Sequence, residues 1–137
     1  ISGSSCNSSG SHLHFTITDN DSVQNPFNYL KSVDNANNSG GDPFSPSGSW
    51  NWPIDTPIQF NQGYGSTWAI QNTWVGQIYT SHNGIDIYNS SLNIKAVQSG
   101  TLYRGSFTTS SGCTLRYVKV DHKDSGIDSY YLHVNYL

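Results

Sequence analysis

The chain has 137 residues, enough for one domain that buries its own core without a metal or many disulfides. A net charge of -3 and a charged fraction of only 11% leave no basic field for a nucleic-acid backbone, and no apolar run approaches the roughly 18 residues of a membrane helix. The abundance of Ser, Asn, Gly, Thr and Tyr is typical of extracellular β-rich proteins. We therefore expect a secreted protein that binds neither nucleic acid nor membrane.

Apolar and polar residues alternate with a period of two in several short stretches, whereas no helical period persists for ten residues. Turn signals separate these stretches at hairpin spacing, which favours antiparallel pairing. The sequence therefore predicts an all-β fold built on an antiparallel sheet or sandwich. The stretches are LHFTIT, GIDIY, NIKAV, GTLYRGSF, TLRYVKV and DSYYLHVNYL.

A segment rich in Pro, Gly, Ser and Asn divides the chain. Residues 31–49 have little to bury and are predicted to form a linker or a long surface loop. Residues 1–30 precede it and contain HLHF and NPFNYL, and residues 50–137 follow it with an aromatic, Pro-punctuated opening.

The first motif along the chain is HLHF. In a strand, His12 and His14 would share one face while Leu13 and Phe15 enter the core, so the spacing can present two imidazoles to one ion. Two surface histidines on an edge strand explain the same pattern equally well.

The second motif is HNGID. Gly84 permits a tight backbone that brings His82 beside Asp86, and Ile85 and Ile87 anchor the following strand. An imidazole and a carboxylate are acceptable zinc ligands. The alternative is a loop histidine followed by an ordinary strand aspartate.

The remaining histidines lie near the end of the chain. Strand alternation predicts Leu132 and Val134 on one face and Tyr131 with His133 on the polar face, where His133 could serve as an acid, a base or an orienting group. His122 has no comparable neighbours, and we assign it a structural or surface role.

Three motifs together resemble the lysostaphin-like zinc endopeptidases of the LytM and LasA type. They are HNGID at 82–86, YLHV at 131–134 and SGSHLHF at 9–15. The stretch WNWPIDTPIQFNQGYG at 50–65 is similar to that family's domain opening, and NPFNYL at 25–30 to its closing segment. The likeness covers all but the linker and some loops.

The resemblance implies an activity and a set of roles. His14, His82 and Asp86 would bind Zn²⁺, and His12 and His133 would be the catalytic pair. The fold would be the family's β-sheet, and the substrates would be glycine-rich cross-bridges or stem peptides of bacterial peptidoglycan.

Two cysteines suit one disulfide in an oxidising compartment, although two buried thiols are the alternative. LasA-like members of the family join a cysteine on a central strand to one shortly before the HxH motif. By that resemblance, Cys6 and Cys113 would be the pair.

The motifs stand in a different order from the family's, in which HxGxD comes first and HxH last. The segment that family members place between YxHL and HxH is also absent. The chain could be a circularly permuted domain, a fragment of a tandem array, or a subunit completed by a neighbouring chain through self-association.

Three functions follow as alternatives. The first is a secreted zinc metalloendopeptidase that cleaves peptidoglycan, because all five His and Asp positions of the motifs are present. The second is a structural or assembly protein on the same fold with a retained metal site. The third is a carbohydrate-binding module that uses its tryptophans as stacking faces.

Overall fold

A computed structural model describes residues 12–108, 112–123 and 125–134 of the chain. The described strands are β1 (Leu13–Asp19), β2 (Ser22–Gln24), β3 (Ala36–Asn38), β4 (Ile58–Gln62), β5 (Ile85–Tyr88), β6 (Thr101–Thr108), β7 (Thr114–His122) and β8 (Ile127–Leu132). The predicted all-β class is confirmed.

All eight strands belong to one sheet, in which seven follow the order β3-β4-β5-β1-β8-β7-β6 and β2 pairs with β1 beside this path. Strand β8 pairs along one edge of β1, while β5 and β2 pair with the two halves of its other edge. Every pairing is antiparallel except that of β3 with β4, which is parallel. Strand β1, which carries the HLHF motif, therefore lies at the centre of the sheet.

One hydrophobic core contains residues from strands that are far apart in the sequence. Leu13, Phe15 and Ile17 of β1 are fully buried, as are Ile85 and Ile87 of β5. Direct pairing of β1 with both β5 and β8 closes the sheet without the segment that the resemblance would place between YxHL and HxH. The three motifs consequently meet within a single chain.

The segment 31–49 lies on the body of the protein. It contributes β3, and its Phe44 stacks on the buried indole of Trp52 with ring centroids 5.7 Å apart. Asp42 is only 6% exposed. Its carboxylate can be buried because it accepts hydrogen bonds from the backbone N–H groups of Gly63 (2.9 Å) and Trp68 (2.7 Å). A composition typical of loops can therefore still supply a buried anchor.

Helical structure is confined to short pieces. The helix α1 (Trp68–Asn72) is capped by the Thr67 hydroxyl, which accepts from the backbone N–H of Ile70, and 3₁₀ turns occur at Pro26–Asn28 and Trp74–Gln77. Within the described residues, none of the helices is long and apolar enough to cross a membrane.

The prediction of which side chains point into the core is correct in β1 and wrong at the end of β8. Tyr131, expected on the polar face, is 1% exposed, and its hydroxyl accepts from the backbone N–H of Val97. The strand ends at Leu132, and His133 has a φ of 64°. This left-handed residue breaks the alternation, so a period of two cannot be continued from Tyr131 through His133.

Candidate metal centre

The centre forms where β5, β1 and the end of β8 lie side by side. His14 of β1 is the direct cross-strand partner of Asp86 in β5 and of Leu132 in β8. Directly opposed residues project to the same face with Cβ atoms about 4.5–5.5 Å apart. The register of the sheet therefore places the HxH and HxGxD motifs on one face.

Asp86 lies close to three histidine side chains, those of His12, His14 and His82. Its Oδ1 atom lies 3.0 Å from Nδ1 of His14 and 3.7 Å from Nε2 of His12, and its Oδ2 atom lies 3.5 Å from Nε2 of His82. The four side chains are between 12% and 18% exposed. They are largely buried, but each keeps some contact with solvent, so an ion or a water molecule can reach them.

Three of these side chains are close enough to share one ion. His14, His82 and Asp86 each offer a ligand atom, and these atoms lie within 4.8 Å of one another. The residues present therefore fit a divalent metal. The donor set of two imidazole nitrogens and one carboxylate oxygen is one that zinc accepts.

His82 is held by the segment that follows β4. A bridge pairs its backbone with Gly65, and its Nδ1–H donates to the carbonyl oxygen of Gly63 at 2.7 Å. Because Nδ1 carries the proton in this arrangement, the Nε2 lone pair faces Asp86. Such an outer hydrogen bond fixes the tautomer of a metal-ligating histidine.

His14 has outer partners of its own. Its Nε2 atom lies 2.8 Å from Oδ1 of Asn83 and 3.1 Å from Oγ1 of Thr16. Thr16 shares the face of His14 because it lies two residues further along β1. The two ring nitrogens of His14 thus face different groups, with Nδ1 towards Asp86 and Nε2 towards these partners.

The contacts between the ligand candidates shift their pKa values in opposite directions. Burial raises the pKa of Asp86, but hydrogen bonds and charges from His14 and His82 outweigh burial and lower it well below its ordinary value. Burial lowers the pKa of His82, but the hydrogen bond and charge of Asp86 and the Gly63 carbonyl raise it overall. The carboxylate is therefore ionised across the physiological range.

His12 and His133 lie beside the ligand candidates. Their ring centroids are 4.7 Å apart, and the rings of His133 and His14 are 6.5 Å apart. Burial, followed by the neighbouring His12 and His14, lowers the pKa of His133 to about 4. The imidazole of His133 is consequently neutral at pH 7.

Gly84 was expected to allow a tight turn, but the structure shows that it allows close packing of two segments. Its φ is not in the left-handed region, so a special turn conformation does not explain it. A Cβ at this position would instead stand 2.3 Å from the carbonyl oxygen of Phe15 and 2.6 Å from the Thr16 hydroxyl. The glycine is required because β1 passes directly against the HNGID segment.

His122 lies away from the centre and has a structural environment. It is 5% exposed, its Nδ1 atom is 2.9 Å from the carbonyl oxygen of Ser99, and its Nε2 atom is 2.9 Å from the hydroxyl of Ser129. The Ser129 hydroxyl also contacts that of Tyr131 at 2.9 Å. Both ring nitrogens of His122 thus have partners within the fold.

The tryptophans fall into different environments. Trp52 is buried in the core, and its indole N–H donates to the carbonyl of Lys31. Trp50 is half-buried against His122, with ring centroids 4.9 Å apart. Trp68 and Trp74 are 52% and 59% exposed. The idea that all four present stacking faces is therefore wrong for Trp52.

Of the two cysteines, Cys113 lies directly before β7, and Cys6 lies outside the described residues. The pairing of Cys6 with Cys113 stays a prediction.

The sequence motifs located all five side chains of the cluster but missed its supporting residues. Asn83 stands inside HNGID, and Thr16 could have been found from its period-two spacing to His14. Gly63 and Asp42 carry no such local signal, because their contacts join distant parts of the chain.

The chain matches no protein-family model, no curated protein and no solved structure. The function is therefore argued from the chemistry of the cluster itself.

Proposed function

We propose that this protein is a secreted zinc metalloendopeptidase that hydrolyses peptide bonds of bacterial peptidoglycan. The observation that supports the proposal most strongly is the meeting of His14, His82 and Asp86 with two further imidazoles, His12 and His133, on one face of the sheet. Three protein ligands that leave one position open are typical of catalytic zinc sites, whereas structural sites usually have four.

Hydrogen bonds beyond the three ligand candidates also support a catalytic zinc site. The Gly63 carbonyl orients His82, and Asn83 and Thr16 face the outer nitrogen of His14. Metal-ligating histidines commonly donate their second ring N–H to such partners. The negative charge of Asp86 would offset part of the charge of a divalent ion.

The two remaining histidines suit proton transfer. A zinc ion held by His14, His82 and Asp86 would lower the pKa of a water molecule towards about 7 and polarise a carbonyl group. His133 is neutral at pH 7, so its imidazole can accept a proton from the attacking water, and the resulting imidazolium can deliver a proton to the departing amine. His12, whose ring adjoins that of His133, is placed to orient it or to share this task.

The substrate class comes from the motif resemblance, which points to glycine-rich cross-bridges or stem peptides of peptidoglycan. Secretion is inferred from the low charge and the Ser- and Asn-rich composition. Both fit an enzyme that acts on an extracellular polymer.

The test combines metal content with turnover on the same samples. We expect one zinc ion per chain, together with release of new amino groups from purified cell walls or from a pentaglycine peptide. Removal of zinc with a chelator should abolish the release, and its replacement should restore it. A zinc-loaded protein that releases no amino groups from either substrate would contradict the proposed activity.

A second candidate function is that of a structural or assembly protein on this fold. Strand β6 is the last strand in the order of the described sheet, and it exposes Leu102 (59%), Tyr103 (51%) and Phe107 (45%). Exposed apolar side chains at a sheet margin favour association. Light scattering over a range of concentrations distinguishes the two candidates, since an assembly protein would form larger particles and lack turnover.

A further inference from the structure

Asn83 is an exposed residue whose side chain nevertheless reaches the imidazole of His14. Its Oδ1 atom lies 2.8 Å from Nε2 of His14, closer than the Thr16 hydroxyl at 3.1 Å. The other nitrogen of that ring, Nδ1, lies 3.0 Å from Oδ1 of Asp86. Asn83 and Asp86 therefore flank the imidazole of His14 from opposite sides.

A neutral imidazole carries a single N–H, so its two nitrogens cannot both bind a cation. If Nε2–H donates to Asn83, a neutral ring has its lone pair on Nδ1, the atom that faces Asp86, and a cation there takes the place of the proton that Asp86 would otherwise accept from Nδ1. If the proton were on Nδ1 instead, the lone pair would point towards Asn83 and away from Asp86. The acceptor at Nε2 thus decides whether His14 can complete the cluster.

The geometry points to Asn83 as a positioning residue that holds His14 in its Nε2–H tautomer and turns Nδ1 towards a divalent metal. This inference rests on the proposed metal centre. It assigns a function to the second residue of HNGID, which lies directly after one ligand and three residues before another. One short segment thereby supplies two ligands and the orienting acceptor for a third on β1.

Thr16 supports the same arrangement without replacing Asn83. A hydroxyl both donates and accepts, so it does not select one tautomer of the ring that it contacts. Asn83 turns its amide oxygen, and not its NH₂ group, towards Nε2 of His14, and that oxygen accepts only. Asn83 should therefore contribute more than Thr16 to fixing the tautomer.

The first experiment measures zinc affinity by competition with a chromophoric chelator. Removing an outer partner of a metal-ligating histidine typically costs 10–100-fold in affinity, so we expect a loss on that scale in Asn83→Ala. Asn83→Asp keeps an acceptor oxygen and should bind within a few-fold of the parent. Asn72→Ala, which removes an exposed amide that donates to the Trp68 carbonyl of its own helix, is the control and should bind as the parent does.

The second experiment reads the tautomer directly, by long-range ¹H–¹⁵N correlation spectra of the histidine rings. In the zinc-loaded parent and in Asn83→Asp, the His14 proton should reside on Nε2 with the chemical shift of a hydrogen-bonded N–H, whereas Asn83→Ala should lose that shift and, in the fraction without zinc, show a mixture of tautomers. Equal zinc affinity in the parent and Asn83→Ala would overturn the role of Asn83 alone, whereas a proton on Nδ1 in the loaded parent would also exclude Nδ1 as the ligand atom of His14. A parent that binds no zinc would overturn the metal centre as well.

Discussion

Gly84 and Phe15 touch through their backbones, because a Cβ on Gly84 would lie 2.3 Å from the Phe15 carbonyl oxygen. That contact joins the HNGID segment to the HLHF strand just where Ile85 pairs with Phe15. The two halves of the cluster are therefore held together by a packing requirement as well as by the register of the sheet.

The first prediction follows from this contact. In Gly84→Ala the added methyl group must push β1 and β5 apart, so we expect a loss of about 1–3 kcal/mol in the free energy of unfolding, measured by urea denaturation, and weaker zinc binding. Gly112→Ala is the control, because Gly112 has a φ of 85° but open space around a Cβ. The control should lose roughly 1–2 kcal/mol from backbone strain alone and keep its zinc affinity. Unchanged zinc binding in Gly84→Ala would show that the contact does not shape the cluster.

The second prediction concerns Asp86, the anionic member of the ligand set. Asp86→Ala should lower zinc affinity strongly, since it removes one of three protein ligands and the group that both His14 and His82 contact. Zinc per chain after dialysis against a weak chelator measures the loss. Asp55→Ala is the matched control, because Asp55 is a solvent-accessible carboxylate that pairs with Lys95 and does not belong to the cluster. Equal zinc retention in Asp86→Ala and the parent would exclude this site.

The third prediction is a pH dependence of the metal-free protein, measured by urea unfolding with a chelator present. The pKa of His82 is raised in the folded state, so its contribution is fully present below about 6.5 and is lost as pH rises through the raised pKa. The pKa of His133 is lowered to about 4, so the unfolded chain binds more protons between about 4 and 6.5. His133 therefore destabilises the fold progressively as pH falls through that window.

Two variants separate these contributions. His133→Asn should flatten the loss of stability between pH 6.5 and 4, and Asn tolerates the positive φ found at this position. His82→Gln should instead be most destabilising below pH 6.5, with the difference from the parent shrinking as pH rises. Parallel pH profiles for the parent and both variants would show that neither histidine is perturbed as described.

Sequence reasoning was most successful where local pattern decides the outcome. The alternation in LHFTI placed Leu13 and Phe15 in the core, and HNGID placed His82 near Asp86. It failed where a distant contact or one backbone angle decides. The burial of Asp42 depends on N–H groups more than twenty residues away in the chain, and the left-handed conformation of His133 cannot be read from its strand-like context.

The fourth prediction is the disulfide between Cys6 and Cys113, which the family resemblance implies. Mass spectrometry of the native protein should find no free thiols. A bridge that closes a loop of about 100 residues stabilises a fold by roughly 4–5 kcal/mol in the chain-entropy model, so reduction should destabilise the protein markedly. It should also weaken zinc binding, because Cys6 precedes the strand that carries His14. Two titratable thiols in the native protein would contradict the pairing.

The last prediction separates an enzyme from a scaffold that holds a metal. His133 lies outside the three-residue ligand set, so His133→Ala should leave zinc bound, while turnover on cell walls or pentaglycine should fall by something like 10²–10⁴-fold, the scale of a lost acid-base group. His133→Asn is the matched variant, because it lacks a titrating ring but accommodates the φ of 64° better than alanine does. His14→Ala should behave differently and lose zinc and turnover together. Equal turnover in the parent and both His133 variants would remove this residue from the mechanism. A parent that binds zinc without turnover would instead favour the assembly function, for which the exposed apolar side chains of β6 are the surface to mutate next.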